Sequence, residues 1–356
     1  MRVVQFISDS MLSDVGDLYI KRAAKIYGIK LVGENENIIT TANRASVCNG
    51  LPLSVFSGKY ITNIKASISD NSQIEFREYD GKLVDTRTGY TCKSSIKPEK
   101  EWSTEKTSTG RSVTSIIKDE FGDTVATTLF GCELKNIDKG CKFCSSPKYS
   151  VPFFSPEELK ESLEISSSNE NIGLIINTGS LIQGENGRIT GKEFYSKIKP
   201  YIKVANMKSV KWVNLETMPS YDSKSQIRDL VNEMCDDGIT SLQLNLELWD
   251  NNLRKVFMPY KGEIPKEFYY NLMDEWARKT GEWRTSSVLL AGIEKTESTR
   301  KGISELMKRG CIPSVEFFVP LRNTPLENLK ADETIESLYE IKEMNRNIYG
   351  TINKNK

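Results

Sequence analysis

From Thr124 onward the chain alternates short apolar runs with amphipathic stretches, and this alternation constrains the fold more than any other feature. The apolar runs cover 124–130, 172–178, 210–215, 240–246, 286–292 and 314–320. Helical patterns lie near 156–167, 191–205, 222–237, 265–280, 296–309 and 331–345. Strands that read as near-continuous apolar runs are covered on both faces, so six such repeats predict a parallel sheet flanked by helices. A curved or closed barrel and an open doubly wound sheet both satisfy the pattern. Start and stop signals agree with it. Ser155, Pro156 and Glu158 make an N-cap, a first-position proline and a capping box. Lys308-Arg309-Gly310 ends the fifth helix with cations followed by glycine. In either architecture ligands gather at the carboxyl ends of the strands, which singles out the segments 132–144, 179–180, 216, 245–247, 292–294 and 320–322.

Residues 1–120 read differently and form a separate N-terminal α+β unit, leaving 121–356 for the β/α region. A length of 356 residues fits two domains, or one large barrel with an appendage. A helix over 14–27 is ended by Gly28, which adopts a left-handed conformation without steric cost. Ile64, Ala66 and Ile68 alternate with polar neighbours, as do Ile74 and Phe76, and Asp80-Gly81 is the dipeptide of a tight hairpin turn. These features predict a small antiparallel β unit. The segment from Lys97 to Arg111 is charged and nearly free of aliphatic residues, so it reads as an exposed linker.

Histidine is absent. That excludes the Ser-His-Asp triad, the HExxH zinc site and an imidazole base, so any acid or base is Asp, Glu, Lys, Tyr or Cys. With 49 Lys+Arg against 48 Asp+Glu the net charge is +1, which gives no electrostatic case for nucleic acid or an anionic membrane as partner. No apolar run approaches the ~20 residues of a membrane span. A small molecule is the expected partner. The first residues hold no apolar stretch long enough for a secretory signal, so the expected location is cytoplasmic. Seven Cys are then thiols or metal ligands rather than a disulfide framework.

Three of those cysteines, Cys132, Cys141 and Cys144, fall together in FGCELKNIDKGCKFCSS, on the loop after the first strand of the repeat. Closely spaced thiolates on a loop select zinc, Cu(I) or an iron–sulfur cluster. Zinc needs a fourth ligand, which without histidine must come from the remote Cys48, Cys92, Cys235 or Cys311. Three thiols alone leave one iron of a cubane cluster open to a small-molecule chelate. A plain grouping of buried or reactive thiols is the remaining reading. Elsewhere, Asn245 and Glu247 alternate with Leu244, Leu246 and Leu248, which puts the polar pair on one face of the fourth strand.

The pair Cys141-Lys142-Phe143-Cys144, after the first strand of a six-fold β/α repeat, resembles the radical S-adenosylmethionine superfamily, closest to the branch of biotin synthase, lipoyl synthase and the hydrogenase maturase. The resemblance covers about 121–328, including Asn177-Thr178-Gly179-Ser180, LQLNLELWDNNL, Ala291-Gly292-Ile293-Glu294, and Val319-Pro320 followed by Asn323-Thr324-Pro325-Leu326. It implies a partial (β/α)6 TIM-like barrel with a small N-terminal unit. It also implies a 4Fe-4S cluster on Cys132, Cys141 and Cys144, and S-adenosylmethionine cleaved reductively to a 5′-deoxyadenosyl radical that takes hydrogen from a small-molecule substrate. An electron donor such as flavodoxin or ferredoxin follows as partner, and oxygen sensitivity as a property. By the same resemblance Phe143, Gly179, Ser180, Asn245, Glu247, Gly292, Glu294 and Val319 contact the cofactor. Glu216 meets cofactor or substrate, Lys261 the cofactor carboxylate, and Arg322 an anionic substrate.

The chain departs from the superfamily in two respects. Eight residues separate Cys132 from Cys141, a longer loop than is usual there. Where biotin synthase has ligands of a second, sulfur-donating cluster, this sequence has Asn177, Asn214 and Val288. Two rival readings come from the residues themselves: a zinc-stabilised, non-catalytic α/β binding protein, and a barrel hydrolase working through Glu216 and Glu247.

Overall fold

The computed structural model describes residues 19–33, 51–57, 60–66, 68–97, 100–120, 123–144, 154–168, 170–181, 191–320, 324–329 and 335–354. Arg322 and Cys48 lie outside the described residues. Residues 19–27 are helical (α1), and Gly28 follows with a φ of 73°, as the stop signal requires. Six strands then form the first sheet: β1 (Lys30–Val32), β2 (Leu51–Ser57), β3 (Tyr60–Ala66), β4 (Ile74–Arg77), β5 (Lys82–Asp85) and β6 (Thr91–Ile96). Their order is β1-β4-β5-β6-β2-β3, antiparallel except where β1 runs parallel to β4. The Asp80-Gly81 turn departs from a two-residue hairpin. A short 3-10 turn, Glu78–Asp80, precedes Gly81 in a left-handed conformation, so four residues join β4 to β5. Ile20, Ala23 and Ala24 of α1 close the core of this unit against Leu53, Ile64 and Leu83.

The second sheet runs β13-β12-β11-β10-β9-β8-β7, with β7 (Lys118–Asp119) antiparallel to β8. Its other strands, β8 (Thr124–Thr128), β9 (Ile172–Asn177), β10 (Val210–Glu216), β11 (Ser241–Gln243), β12 (Thr285–Ala291) and β13 (Cys311–Phe317), are parallel and in sequence order. This is the six-fold β/α repeat as a partial barrel: among the described residues the two end strands do not meet, so the sheet stays open. Between the strands lie α2 (Pro156–Ser166), α3 (Gly191–Ala205), α4 (Lys224–Asp236), α5 (Asn251–Phe257), α6 (Lys266–Thr280) and α7 (Thr296–Met307), and α8 (Ile335–Lys354) follows β13. The Ser155–Glu158 capping box is present, and Ser223 with Gln226 makes a second one at α4. Helix α5 is the one the sequence pattern omits. Asp250 caps it by accepting from the N–H groups of Asn252 and Leu253.

Two expectations need correction. The Lys97–Arg111 segment is not an exposed linker. Trp102 is buried in the second core with Val113, Ile116 and Ile117, Ser108 donates to Glu161, and Thr109 and Arg111 donate to Glu158 of α2. Polar composition hid this because the anchors are hydroxyls and a guanidinium aimed at two helix carboxylates. The core of the barrel therefore recruits residues 102–119, ahead of the boundary at 120. The sixth strand, expected over 314–320, instead runs Cys311–Phe317 and so begins on Cys311, which is fully buried.

Helix α1 also joins the two units. Lys21 meets Glu316 at 3.8 Å while its neighbour Arg22 stands over the Phe317 ring at 5.9 Å. Successive strand residues face opposite sides of a sheet, so contacts to both place α1 along the free edge of β13. No helix among the described residues is long and apolar enough to cross a membrane.

Candidate functional site

The carboxyl ends of β8 to β12 converge on one constellation. Leu129 continues the β8–β9 ladder by donating to Asn177 O at 2.9 Å, and Cys132 then pairs as an isolated bridge with Ser180, whose carbonyl accepts from Glu133 N–H. Gly179 makes this approach possible. It has a φ of 68°, and a Cβ there would sit 2.3 Å from Phe130 O and 2.6 Å from Gly131 O. Ser180 is buried, and what the segment offers is chiefly backbone.

Beyond Cys132 the loop closes on itself. The Lys135 side chain fills the space a Cβ on Gly140 would take, and its Nζ donates to Cys144 O at 2.6 Å. Lys142 N–H donates to Phe257 O at the end of α5, and Phe143 packs with Phe257, Ile293, Phe318 and Leu326. The loop is thus fastened to the ends of β12 and β13. Burial pushes the Cys141 thiol up to about 12, the Lys261 cation opposes that rise, and Glu247, Cys144 and Cys132 add to it. Cys132, Cys144, Glu247 and Lys261 all act on the charge of Cys141, and all five residues are half-buried. Among the described residues no three Cys, Asp or Glu are near enough to hold a single metal ion.

Glu216, at the end of β10, is bracketed across three strands. Asn177 Nδ2 donates to its Oε2 at 2.9 Å and Asn245 Nδ2 to its Oε1 at 2.8 Å. The amide oxygens look the other way: Asn177 Oδ1 accepts from Gly179 N–H, and Asn245 Oδ1 from Val288 N–H. Those four bonds fix both amide orientations, because a carboxylate only accepts and a backbone N–H only donates. Asn245 also performs a backbone task, since β11 ends at Gln243 and its side chain continues the pairing with β12.

Glu247 sits at a kink, with a φ of 63°. Arg254, almost fully buried, holds the kink from below: Nη1 donates to Leu246 O at 2.8 Å and Nη2 to Lys261 O at 3.0 Å. One guanidinium so fixes the backbone on both sides of the Glu247 and Lys261 pair. Burial pushes Glu247 up to about 7, with Lys261 and Arg254 lowering it and Glu216 raising it. For Lys261 burial works against the charged form, yet Cys141, Tyr269 and Glu247 raise it overall. Arg254 was not among the sequence candidates. Its signal was a cation in a helix that follows a polar strand end, which periodicity does not single out.

Gly292 turns with a φ of 93° into open space, as a strand-to-ligand turn would. Glu294 is occupied structurally: its carboxylate accepts from Trp249 N–H, Asp250 N–H and the Thr299 hydroxyl, tying the β12 turn to the start of α5. Val319 packs against the cluster that holds Phe317, Met344 and Ile348. The structure thus brings together Cys132, Cys141, Cys144, Phe143, Gly179, Ser180, Glu216, Asn245, Glu247 and Lys261, and gives Glu294 and Val319 other contacts. The remaining described cysteines stand apart. Cys92 lies in the first core, Cys235 on α4, and Cys311 at the amino end of β13.

No protein-family description matches the chain, and no curated protein is similar in sequence. Solved structures are similar in architecture. The FeFe-hydrogenase maturase HydG matches 62% of this chain with 48% of its own, at 15% identity and a TM-score of 0.45. A radical SAM methyltransferase from Sphaerobacter thermophilus matches 65% with 66% of its own, at 12% identity and a TM-score of 0.45. Streptococcus suis SuiB, solved with S-adenosylmethionine bound, matches 66% with 49% of its own, at 13% identity and a TM-score of 0.46. The chain spans 48% to 66% of the length of these three proteins.

Proposed function

We propose that this chain is a radical S-adenosylmethionine enzyme acting on a small molecule. The observation that carries the reading is the placing of three half-buried thiols, Cys132, Cys141 and Cys144, on the loop after β8, at the same carboxyl end of an open parallel sheet as Glu216, Asn245, Glu247 and Lys261. The donor set fits a 4Fe-4S cluster better than zinc. A cube held by three thiolates keeps one iron open, whereas structural zinc takes four protein ligands. Among the described cysteines none stands beside the loop as a fourth zinc ligand.

In this reading Cys132, Cys141 and Cys144 hold the cluster. When bound, cluster and S-adenosylmethionine together supply reductive cleavage to a 5′-deoxyadenosyl radical. The protein's part is orientation and exclusion of water. Lys261 offers a cation to the cofactor carboxylate, the Gly179–Ser180 backbone lies beside the Cys132 stem to receive an amino group, and Glu247 accepts from ribose hydroxyls. Glu216, with one oxygen on each asparagine, keeps lone pairs for a third donor. No residue needs to act as a base for hydrogen abstraction, which accords with a chain that lacks histidine. The hydrolase reading is weaker, because Glu216 is engaged by two amides and is not free to serve as an acid.

The test is anaerobic reconstitution of the full chain with iron and sulfide, reduction in the presence of S-adenosylmethionine, and chromatography for 5′-deoxyadenosine. Formation by wild type and loss in Cys132→Ala, Cys141→Ala and Cys144→Ala is the expected result. Absence of the product in reduced, iron-loaded wild type overturns the proposal.

A further inference from the structure

The packing of helices onto β12 and β13 leaves a gap. Ala291 and Phe317, paired in register, turn to the helix side and meet Ile341 and Met344 of α8 in one apolar cluster. A cavity of about 90 Å³ lies among these residues, α1 and the start of α7. One water occupies roughly 10–15 Å³ on that scale, so the space takes about six water-sized groups. The cavity is across the sheet from Glu216. Ala291 shares a face with Leu289 of the main core, whereas Glu216 alternates with buried Leu215 and so points to the other side.

Its polar lining falls into two groups. Glu294 and Thr299 are committed to structure, since the Thr299 hydroxyl and the N–H groups of Trp249 and Asp250 all donate to the Glu294 carboxylate. Arg22 and Glu340 are placed otherwise. Arg22, 5% exposed, holds its guanidinium over the Phe317 ring at 5.9 Å, and Lys25, one turn later on α1, stands over the same ring at 6.0 Å. Glu340 accepts from the Thr296 hydroxyl through Oε2 at 3.1 Å, and its Oε1 meets no donor among the described residues. Arg22 and Glu340 thus bring opposite charges to one cavity and form no ion pair with each other. Opposite charges held apart across a small space are matched by a molecule that carries both.

We propose that this cavity binds a small free α-amino acid, with its carboxylate on Arg22, its ammonium on Glu340 and its side chain against Phe317, Phe318 and Met344. A guanidinium is the side chain best shaped for a carboxylate, and Lys25 adds a second cation on that side. A simple anion would set a like charge before Glu340, and a simple amine would set one before Arg22 and Lys25. A neutral molecule matches neither charge. The volume suits glycine, alanine or serine and is too small for a peptide. Arg22 belongs to the N-terminal unit and Glu340 to α8 of the barrel, so the ligand fastens the two units together. The site does not rest on the radical reading.

The test is calorimetric titration of the full chain, as purified, with glycine, alanine and serine, and with propionate and ethylamine, each of which carries one of the two charges. Saturable binding of at least one amino acid is expected, with propionate and ethylamine about ten-fold weaker or worse. Arg22→Gln and Glu340→Gln should each weaken the amino acid about ten-fold or more. Glu340 is half-buried, so Glu340→Gln should keep the wild-type circular dichroism and report on binding even where Arg22→Gln fails to fold. The amino acid should also raise the melting temperature of wild type more than that of Glu340→Gln, because it binds only the folded chain. Failure of all three amino acids to saturate, equal or tighter binding of propionate or ethylamine, or wild-type affinity in folded Glu340→Gln overturns the proposal. Amino acid binding without 5′-deoxyadenosine formation removes the radical reading and leaves this site, and the converse result removes this site alone.

Discussion

Glu216 shows how much of the rim depends on single atoms. Each of its oxygens accepts from an asparagine on a neighbouring strand, so Glu216→Gln turns an amine toward one of two amines. Leaving a part-buried donor without an acceptor costs roughly 1–3 kcal/mol. Urea unfolding of that variant should show a loss of this size, and an unchanged midpoint would remove Glu216 from its central place. Glu247 makes a second prediction through pH. Its folded-state value, pushed from 4.5 up to about 7, means that the folded protein holds the proton more tightly than the unfolded chain. Stability from this residue is therefore greatest below about 4.5 and falls as pH rises toward about 7. Thermal melts of the cluster-free protein should show that decline, and Glu247→Gln should flatten it. A Glu247→Gln profile parallel to wild type would contradict the placement. The Asn245 and Glu247 alternation was readable in sequence because period two is a local property. The bracket around Glu216 was not, since it depends on three strands that are distant in sequence and meet only through parallel register.

Elements divide by how local their causes are. The major β/α helices were legible because Ser155, Pro156, Glu158 and the Lys308–Gly310 stop act within a turn or two of the chain. Helix α5 is only seven residues long, and its cap, Asp250, lies inside a segment dominated by the strand signal of alternating leucines. The Lys97–Arg111 segment was misread because composition reports solubility and says nothing of a single large anchor. Trp102 is that anchor, 8% exposed in the barrel core. Truncating a buried aromatic costs about 3–5 kcal/mol. Trp102→Ala should lower the unfolding free energy by about 3 kcal/mol and raise amide exchange in β7 and β8. A neutral substitution would restore the linker reading. Glu158 joins the same story, closing the capping box of α2 while accepting from Thr109 and Arg111.

At the scale of the molecule, six parallel strands in sequence order put every strand-to-helix loop at one end, which is why residues scattered from Cys132 to Gly292 share one rim. The repeat count announced this arrangement. Openness of the sheet and the seat of α1 along β13 did not show in the sequence, because closure depends on strand tilt and stagger, and docking on contacts such as Lys21 with Glu316 and Arg22 with Phe317. Phe143 and its apolar neighbours support the thiol loop, and Arg254 fixes the carbonyls of Leu246 and Lys261. The most direct measurement is the iron and acid-labile sulfide content of anaerobically reconstituted wild type beside Cys141→Ala, with zinc determined in the same samples. Iron and sulfide in equal amounts, lost in the variant while its circular dichroism is kept, is the predicted result. Stoichiometric zinc without iron in wild type, or undiminished iron in Cys141→Ala, would contradict it.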